Sequence, residues 1–172
     1  MSATARVYVG LGSNLDRPLE QVRAGMAALR ELPDSHVVKC SALYRSAPVG
    51  ITEQPDFINA VAALDTALAP QALMRRLLVI EHAHGRRRGA LRGGPRTLDL
   101  DLLLYDDLEL QSPELTLPHP RLHERAFVLY PLFEIAPTLH VPGHGPVAEM
   151  LDRCDKQAVV RLTDDLREAA RS

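Results

Sequence analysis

Two acids and an arginine in one short stretch carry the chemistry of this chain. The run Gly94-Pro-Arg-Thr-Leu-Asp-Leu-Asp-Leu-Leu-Leu-Tyr105 alternates from Thr97 onward as a β-strand does. A period of two places Leu98, Leu100, Leu102 and Leu104 on one face and Asp99 and Asp101 on the other. Carboxylates at i and i+2 project side by side, with Cα atoms about 6.5–7 Å apart. That spacing suits two Mg²⁺ ions, about 3.5–4 Å apart, shared with a polyphosphate. Arg96, just before the strand, supplies a planar, always-charged fork of the kind that grips phosphate. An isolated Asp-x-Asp is more often a solvated strand face, so its neighbours decide the reading.

Those neighbours favour an anion site. Arg75, Arg76, Arg86, Arg87, Arg88, Arg92 and Arg96 crowd one region of a chain whose net charge is −2. Such a local excess points to a small anionic ligand rather than to a general polyanion surface. Between Arg86 and Gly94 there is little apolar surface to hold the chain down. This segment is expected to be mobile without ligand and to close over bound polyphosphate. A second cluster lies upstream, where Phe57 and Asn59 share one face of a strand. A flat heterocycle could stack on the ring and bond to the amide. Glu81 falls in the last turn of a helix, where an acid opposes the helix dipole, which hints at a functional role.

The elements that must position these groups follow from periodicity. Val7, Val9 and Leu11 mark a first strand, and Gly10 and Gly12 within it suggest a close approach to another element or a ligand. Pro18 opens a helix carrying Leu19, Val22, Met26 and Leu29 at helical spacing. A second strand runs from His36 to Arg45, and a third from Phe57 to Leu64 has Ile58, Ala60, Ala62 and Leu64 on its apolar face. Pro70 opens a second helix that ends at Gly85. After the Asp-x-Asp strand, Asp106-Asp107 turns into a short return strand near Leu108–Leu110. A helix with Pro131 inside it spans 126–136, 137–146 reads as a loop, and Val147–Ser172 reads as helical in pieces. The order strand–helix–strand–strand–helix–strand predicts an α+β, ferredoxin-like split βαβ sandwich: an antiparallel sheet with helices packed on one face, in a single domain over residues 1–172.

The stretch Arg92-Gly-Gly-Pro-Arg-Thr-Leu-Asp-Leu-Asp-Leu-Leu103 resembles the signature of the 6-hydroxymethyl-7,8-dihydropterin pyrophosphokinase family of folate biosynthesis. Gly12-Ser13-Asn14, Gln54-Pro55-Asp56-Phe57-Ile58-Asn59-Ala60, Leu117-Pro118-His119-Pro120 and Pro131-Leu-Phe-Glu-Ile-Ala-Pro137 match in the same order, so the resemblance covers roughly Val7 to Leu151. It implies transfer of pyrophosphate from ATP to the hydroxymethyl group of a reduced pterin, with two Mg²⁺ and release of AMP. Asp99 and Asp101 match the metal-holding acids, and Arg86 and Arg96 the catalytic phosphate contacts. Glu81, Arg88, Arg92, Leu102, Thr116, His119 and Arg125 match the ATP site. Ser46, Val49, Phe57, Asn59 and Phe127 match the pterin pocket, with the two rings sandwiching the ligand. The chain departs from the family pattern at Ala47, Phe57, Gly93 and Glu114, where proline, tyrosine, tryptophan and a basic residue are common.

Composition narrows the remaining possibilities. With 46% hydrophobic and 24% charged residues, the chain reads as an ordinary soluble protein, expected as a cytoplasmic monomer without membrane or nucleic-acid partners. Cys40 and Cys154 are expected as free thiols. His82 and His84 lack the companions of a metal site, and His123, His140 and His144 have no assigned role. The competing reading, a ferredoxin-like RNA-binding module, needs sheet aromatics and a basic surface, whereas aromatics are 4% and acids occupy the expected face.

Overall fold

The structure, a computed structural model, describes residues 3–48, 53–85, 97–154 and 158–165. Val49, Arg86, Arg88, Arg92 and Arg96 lie outside them, as does the segment expected to close over polyphosphate. The elements run β1 (Ala5–Ser13), α1 (Pro18–Arg30), β2 (Ser35–Cys40), β3 (Ala42–Ser46), β4 (Phe57–Thr66), α2 (Pro70–Ala83) and β5 (Asp99–Tyr105). Then come β6 (Leu110–Gln111), β7 (Thr116–Leu117), a 3₁₀ turn at Leu122–Glu124, α3 (Ala126–Ile135), β8 (His140–Val141), β9 (Gly145–Pro146), α4 (Val147–Arg153) and β10 (Val159–Asp165).

The main sheet has the order β10-β3-β4-β1-β5, with β2 also paired to β4, and its ladders are antiparallel. Central β1 lies between β4 and β5, which is the split βαβ arrangement expected from the element order. On one face Val7, Val9 and Leu11 of β1 pack with Val22, Met26 and Leu29 of α1 and with Leu73 and Leu77 of α2. The even face of β4 joins them, as its alternation predicted. Gly25 lets α1 settle onto the sheet: a Cβ there would sit 3.1 Å from Leu98 Cδ1 and 3.2 Å from Leu11 Cδ2.

The other face is covered too, an addition to the one-sided plan. Tyr8, Val61, Ala63, Leu103 and Leu104 pack beneath Val128, Leu129 and Leu132 of α3 and Val147 and Met150 of α4. Leu104 therefore does not lie with Leu98, Leu100 and Leu102. The β1–β5 register shifts between Tyr8 and Val9, which pair with Leu104 and Leu102, so β5 carries one extra residue, Leu103. A bulge inverts the side-chain phase beyond it, and Leu104 joins Tyr8 on the second face.

Four further expectations are corrected. The single strand from His36 to Arg45 is broken at Ser41, whose hydroxyl accepts the Val61 N–H at 3.0 Å and takes the place of a ladder bond. The strand after Asp107 pairs with β7 rather than returning along β5, and 137–146 holds the small β8–β9 hairpin. Among the described residues, the C-terminal part is helical only in α4; β10 then adds to the open edge of β3. Val159-Val-Arg-Leu-Thr163 is rich in β-branched residues, and an unpaired strand edge is satisfied by such a segment.

Candidate active site

The acids sit at one side of the second face, held by neighbours on three elements. Gly12 of β1 is opposite both Asp99 of β5 and Asn59 of β4, so these three positions form one row across the sheet. Gly10 stands likewise between Asp101 and Val61. Because both central positions are glycine, no side chain rises between the acids and the amide, which are two strand spacings, about 10 Å, apart. A Cβ on Gly12 would lie 3.4 Å from Asn59 Oδ1. The row is thus a groove with a backbone floor, which accounts for the glycines marked in β1.

Asn59 is buried and donates from Nδ2 to Ser46 Oγ at 2.7 Å. Phe57 lies opposite Ser46 in the β3–β4 ladder, so three expected pterin contacts share one corner. Phe127, in the first turn of α3, faces the acids through Arg125. The guanidinium carbon lies 5.7 Å from the Phe127 ring centroid, and Nη1 lies 3.7 Å from Asp101 Oδ2. One arginine therefore bridges the acid pair and the aromatic wall.

Beyond the acids, at the edge of β5, a cavity of about 290 Å³ is lined by Glu81, Asp101, Leu102, Thr116 and His119 among others. Five expected site residues from three separate parts of the chain thus meet in one hollow. Glu81 is 1% exposed, and its Oε2 accepts the Leu100 N–H at 2.7 Å. Leu100 lies between the two aspartates on an edge strand, so this carboxylate fixes the backbone that aims them. The position that opposes the helix dipole is explained by this bond.

His119 follows a cis Leu117–Pro118 peptide and is anchored by its N–H to Leu103 O at 2.9 Å. Burial first, then the charge of Arg125, lowers its pKa to about 4, against an opposing pull from Asp99. The ring is neutral at pH 7, and its Nδ1 accepts the Arg121 N–H at 3.2 Å. It therefore offers an Nε2–H donor and not a cation. Glu114, where a basic residue is common, pairs with Arg75 Nη2 at 3.7 Å and lines the same cavity.

Comparisons with known proteins show the family. A family model described as 7,8-dihydro-6-hydroxymethylpterin-pyrophosphokinase (HPPK) matches residues 8–137. The chain belongs to this family. It is 49% identical over 157 residues to the 2-amino-4-hydroxy-6-hydroxymethyldihydropteridine pyrophosphokinase of Pseudomonas aeruginosa, covering 91% of this chain and 96% of that one. With the Haemophilus influenzae protein of the same name it shares 43% over 155 residues, or 90% and 96% of the two chains. Among solved structures, Plasmodium falciparum HPPK-DHPS with pterin and p-hydroxybenzoate superposes on 89% of this chain with a TM-score of 0.69. At 14% identity that likeness concerns the fold alone, and this pyrophosphokinase chain spans only 43% of the longer protein.

Several residues that bond to or beside the candidate site carry no role in the sequence reading: Ser13, Asn14, Gln54, Tyr44 and Glu134. Glu134 had a signal, as the one acid in the otherwise apolar helix Ala126–Ile135. The others are polar residues in turns and strands, and only tertiary contacts distinguish them.

Proposed function

We propose that this folate-pathway pyrophosphokinase works across the Gly12 groove, with the polyphosphate of ATP over Asp99 and Asp101 and the pterin over Asn59. The observation that carries this reading is the row Asp99–Gly12–Asn59, which puts anion chemistry and heterocycle recognition side by side on one floor. Hard oxygen donors suit Mg²⁺, which is commonly held by one or two carboxylates with waters and substrate phosphates completing its shell. Two aspartates fit that pattern, and among the described residues there is no cluster of three or more His, Cys, Asp or Glu suited to another metal. Asp99 and Asp101 would hold the Mg²⁺, which would supply neutralisation of the phosphate charge that otherwise repels the attacking hydroxyl.

The protein's own task is placement. Phe57 and Phe127 hold the pterin ring, and Asn59, itself steadied by Ser46, bonds to its edge. Glu81, Leu102, Thr116, His119 and Arg125 hold ATP in the hollow beside β5, with Val49, Arg86, Arg88, Arg92 and Arg96 completing the two sites. The hydroxymethyl oxygen forms its bond to the β-phosphorus as the bond from that phosphorus to the α-phosphate oxygen breaks. AMP leaves, and the hydroxyl proton is released. Cys40 and Cys154 are both buried, which suits a reducing cytoplasm.

The test is AMP release from Mg-ATP in the presence and absence of 6-hydroxymethyl-7,8-dihydropterin. Wild-type turnover should require the pterin, and Asp99→Asn or Asp101→Asn should lose at least about 100-fold in kcat, a loss of the size seen when transition-state charge stabilisation is removed. Near-wild-type activity in either variant would remove the aspartates from the metal role.

A further inference from the structure

Two adjacent buried side chains at the end of β1 reach in opposite directions, one to each half of the groove. Ser13 is 0% and Asn14 1% exposed. Ser13 Oγ donates to the carbonyl oxygen of Thr97. Asn14 Nδ2 donates to Gln54 Oε1 at 2.8 Å and to Pro55 O at 3.0 Å. Both bonds fall where a ladder stops. The β1–β5 register ends with the pair Gly12–Asp99, so its backbone pairs hold nothing earlier in β5. The Ser13 hydroxyl extends that hold to Thr97. The β1–β4 register ends with Ser13–Ile58 and the β3–β4 register with Ser46–Phe57. The Asn14 amide extends the hold to residues 54 and 55, just ahead of Phe57 and Asn59.

From this geometry we infer that Ser13 and Asn14 are positioning residues with divided duties. Ser13 aligns the approach to the metal-holding aspartates, and Asn14 aligns the approach to the pterin-reading pair. Each acts through the segment that it ties. The inference rests on the substrate placement proposed above. A merely structural role would affect both substrates alike, because both residues cap the same central strand. A positioning role separates them.

Binding is measured with a non-hydrolysable ATP analogue and Mg²⁺, and with 6-hydroxymethyl-7,8-dihydropterin in the presence of saturating analogue. Gln54→Ala breaks the Asn14 tie from its less buried side. It should weaken pterin binding by about 10-fold, the worth of one well-placed hydrogen bond, and leave analogue binding within about two-fold. Asn14→Ala, which also loses the bond to Pro55 O, should weaken pterin binding at least as much, and the double variant should be little worse than Asn14→Ala, since the Gln54 bond is already lost there. Ser13→Ala should raise the KM for Mg-ATP or lower kcat several-fold with pterin affinity unchanged, and Ser13→Thr, which keeps the hydroxyl, should restore much of the loss. Phe57→Ala is the control for the site itself. If Phe57→Ala weakens pterin binding while Gln54→Ala and Asn14→Ala do not, or if they weaken both substrates equally, the positioning roles are wrong and the site stands. If Phe57→Ala leaves pterin affinity unchanged, the placement of the pterin is wrong.

Discussion

His119 shows how burial sets the chemical form of a single group. Its pKa is lowered from 6.5 to about 4, mainly by burial and then by Arg125. Between those values the unfolded chain binds a proton that the folded chain refuses, so stability falls as pH drops through that window. Above about 6.5 both states are neutral, and below about 4 this group adds no further loss. Thermal melting from pH 7 to pH 4 should therefore show a steeper fall for the wild type than for His119→Gln. Parallel curves would mean that the ring is protonated without penalty. Glu81 is the companion case. Glu81→Leu strips the acceptor from the buried Leu100 N–H and should cost about 1–3 kcal/mol, whereas Glu81→Gln keeps an acceptor and should cost less. Chemical denaturation of the two variants measures the difference; equal losses would show that the bond to Leu100 is not the cause.

The elements around the site are pinned by one carboxylate on α3. Glu134 accepts from Tyr44 Oη at 2.6 Å and from the Ala42 N–H at 3.1 and 3.2 Å, with Arg161 Nη2 at 3.9 Å. The Tyr44 phenol is held well above its usual pKa, first by burial and then by this neighbour. Tyr44 lies opposite Asn59, so Glu134 braces the strand beside the Asn59 amide. Tyr44→Phe removes one neutral donor and should cost about 1 kcal/mol, while Glu134→Ala leaves two donors without this acceptor and should cost about 2–4 kcal/mol. A double-mutant cycle in urea should give a coupling of at least about 0.5 kcal/mol; additive losses would mean that the bond contributes nothing.

This is also the scale at which the sequence stops being readable. Period-two alternation in β4 and period-3.6 spacing in α1 were legible because each element buries one face against the same core. That Asp99 and Asp101 share one face was legible because period-two alternation fixes it within the strand. The phase inversion at Leu103 was not, since a bulge depends on the partner strand and leaves no mark in a run of leucines. Nor was β10, whose strand form is set by the free edge of β3, a property of the assembled sheet.

At the scale of the whole molecule, the sheet has a polarity. The cavity that includes Glu81, Thr116 and His119 lies at the β5 edge. Ser46, Phe57 and Asn59 lie towards the opposite side, where β10 is the outermost strand. The two proposed substrate regions are therefore supported by different sides of the sheet. Val159 pairs with Ser46 and Arg161 with Tyr44, so β10 backs the pterin corner directly. Asp99 is separated from β3 by two intervening strands, β1 and β4. Deleting residues 158–172 would expose the edge of β3 and remove Arg161 from Glu134, while removing no strand that pairs with β1 or β5. The truncated protein should melt several degrees lower, because a domain of this size loses about 2–4 °C per kcal/mol. It should also be more prone to edge-to-edge association. In steady-state kinetics the KM for the pterin should rise by about 10-fold or more, as expected when a pocket wall loses about 1.4 kcal/mol of support. The KM for Mg-ATP should move by less than about two-fold. Equal rises for both substrates would show that β10 supports the sheet as a whole. An unchanged pterin KM in a folded, truncated enzyme would show that the corner built by Ser46, Phe57 and Asn59 stands without it.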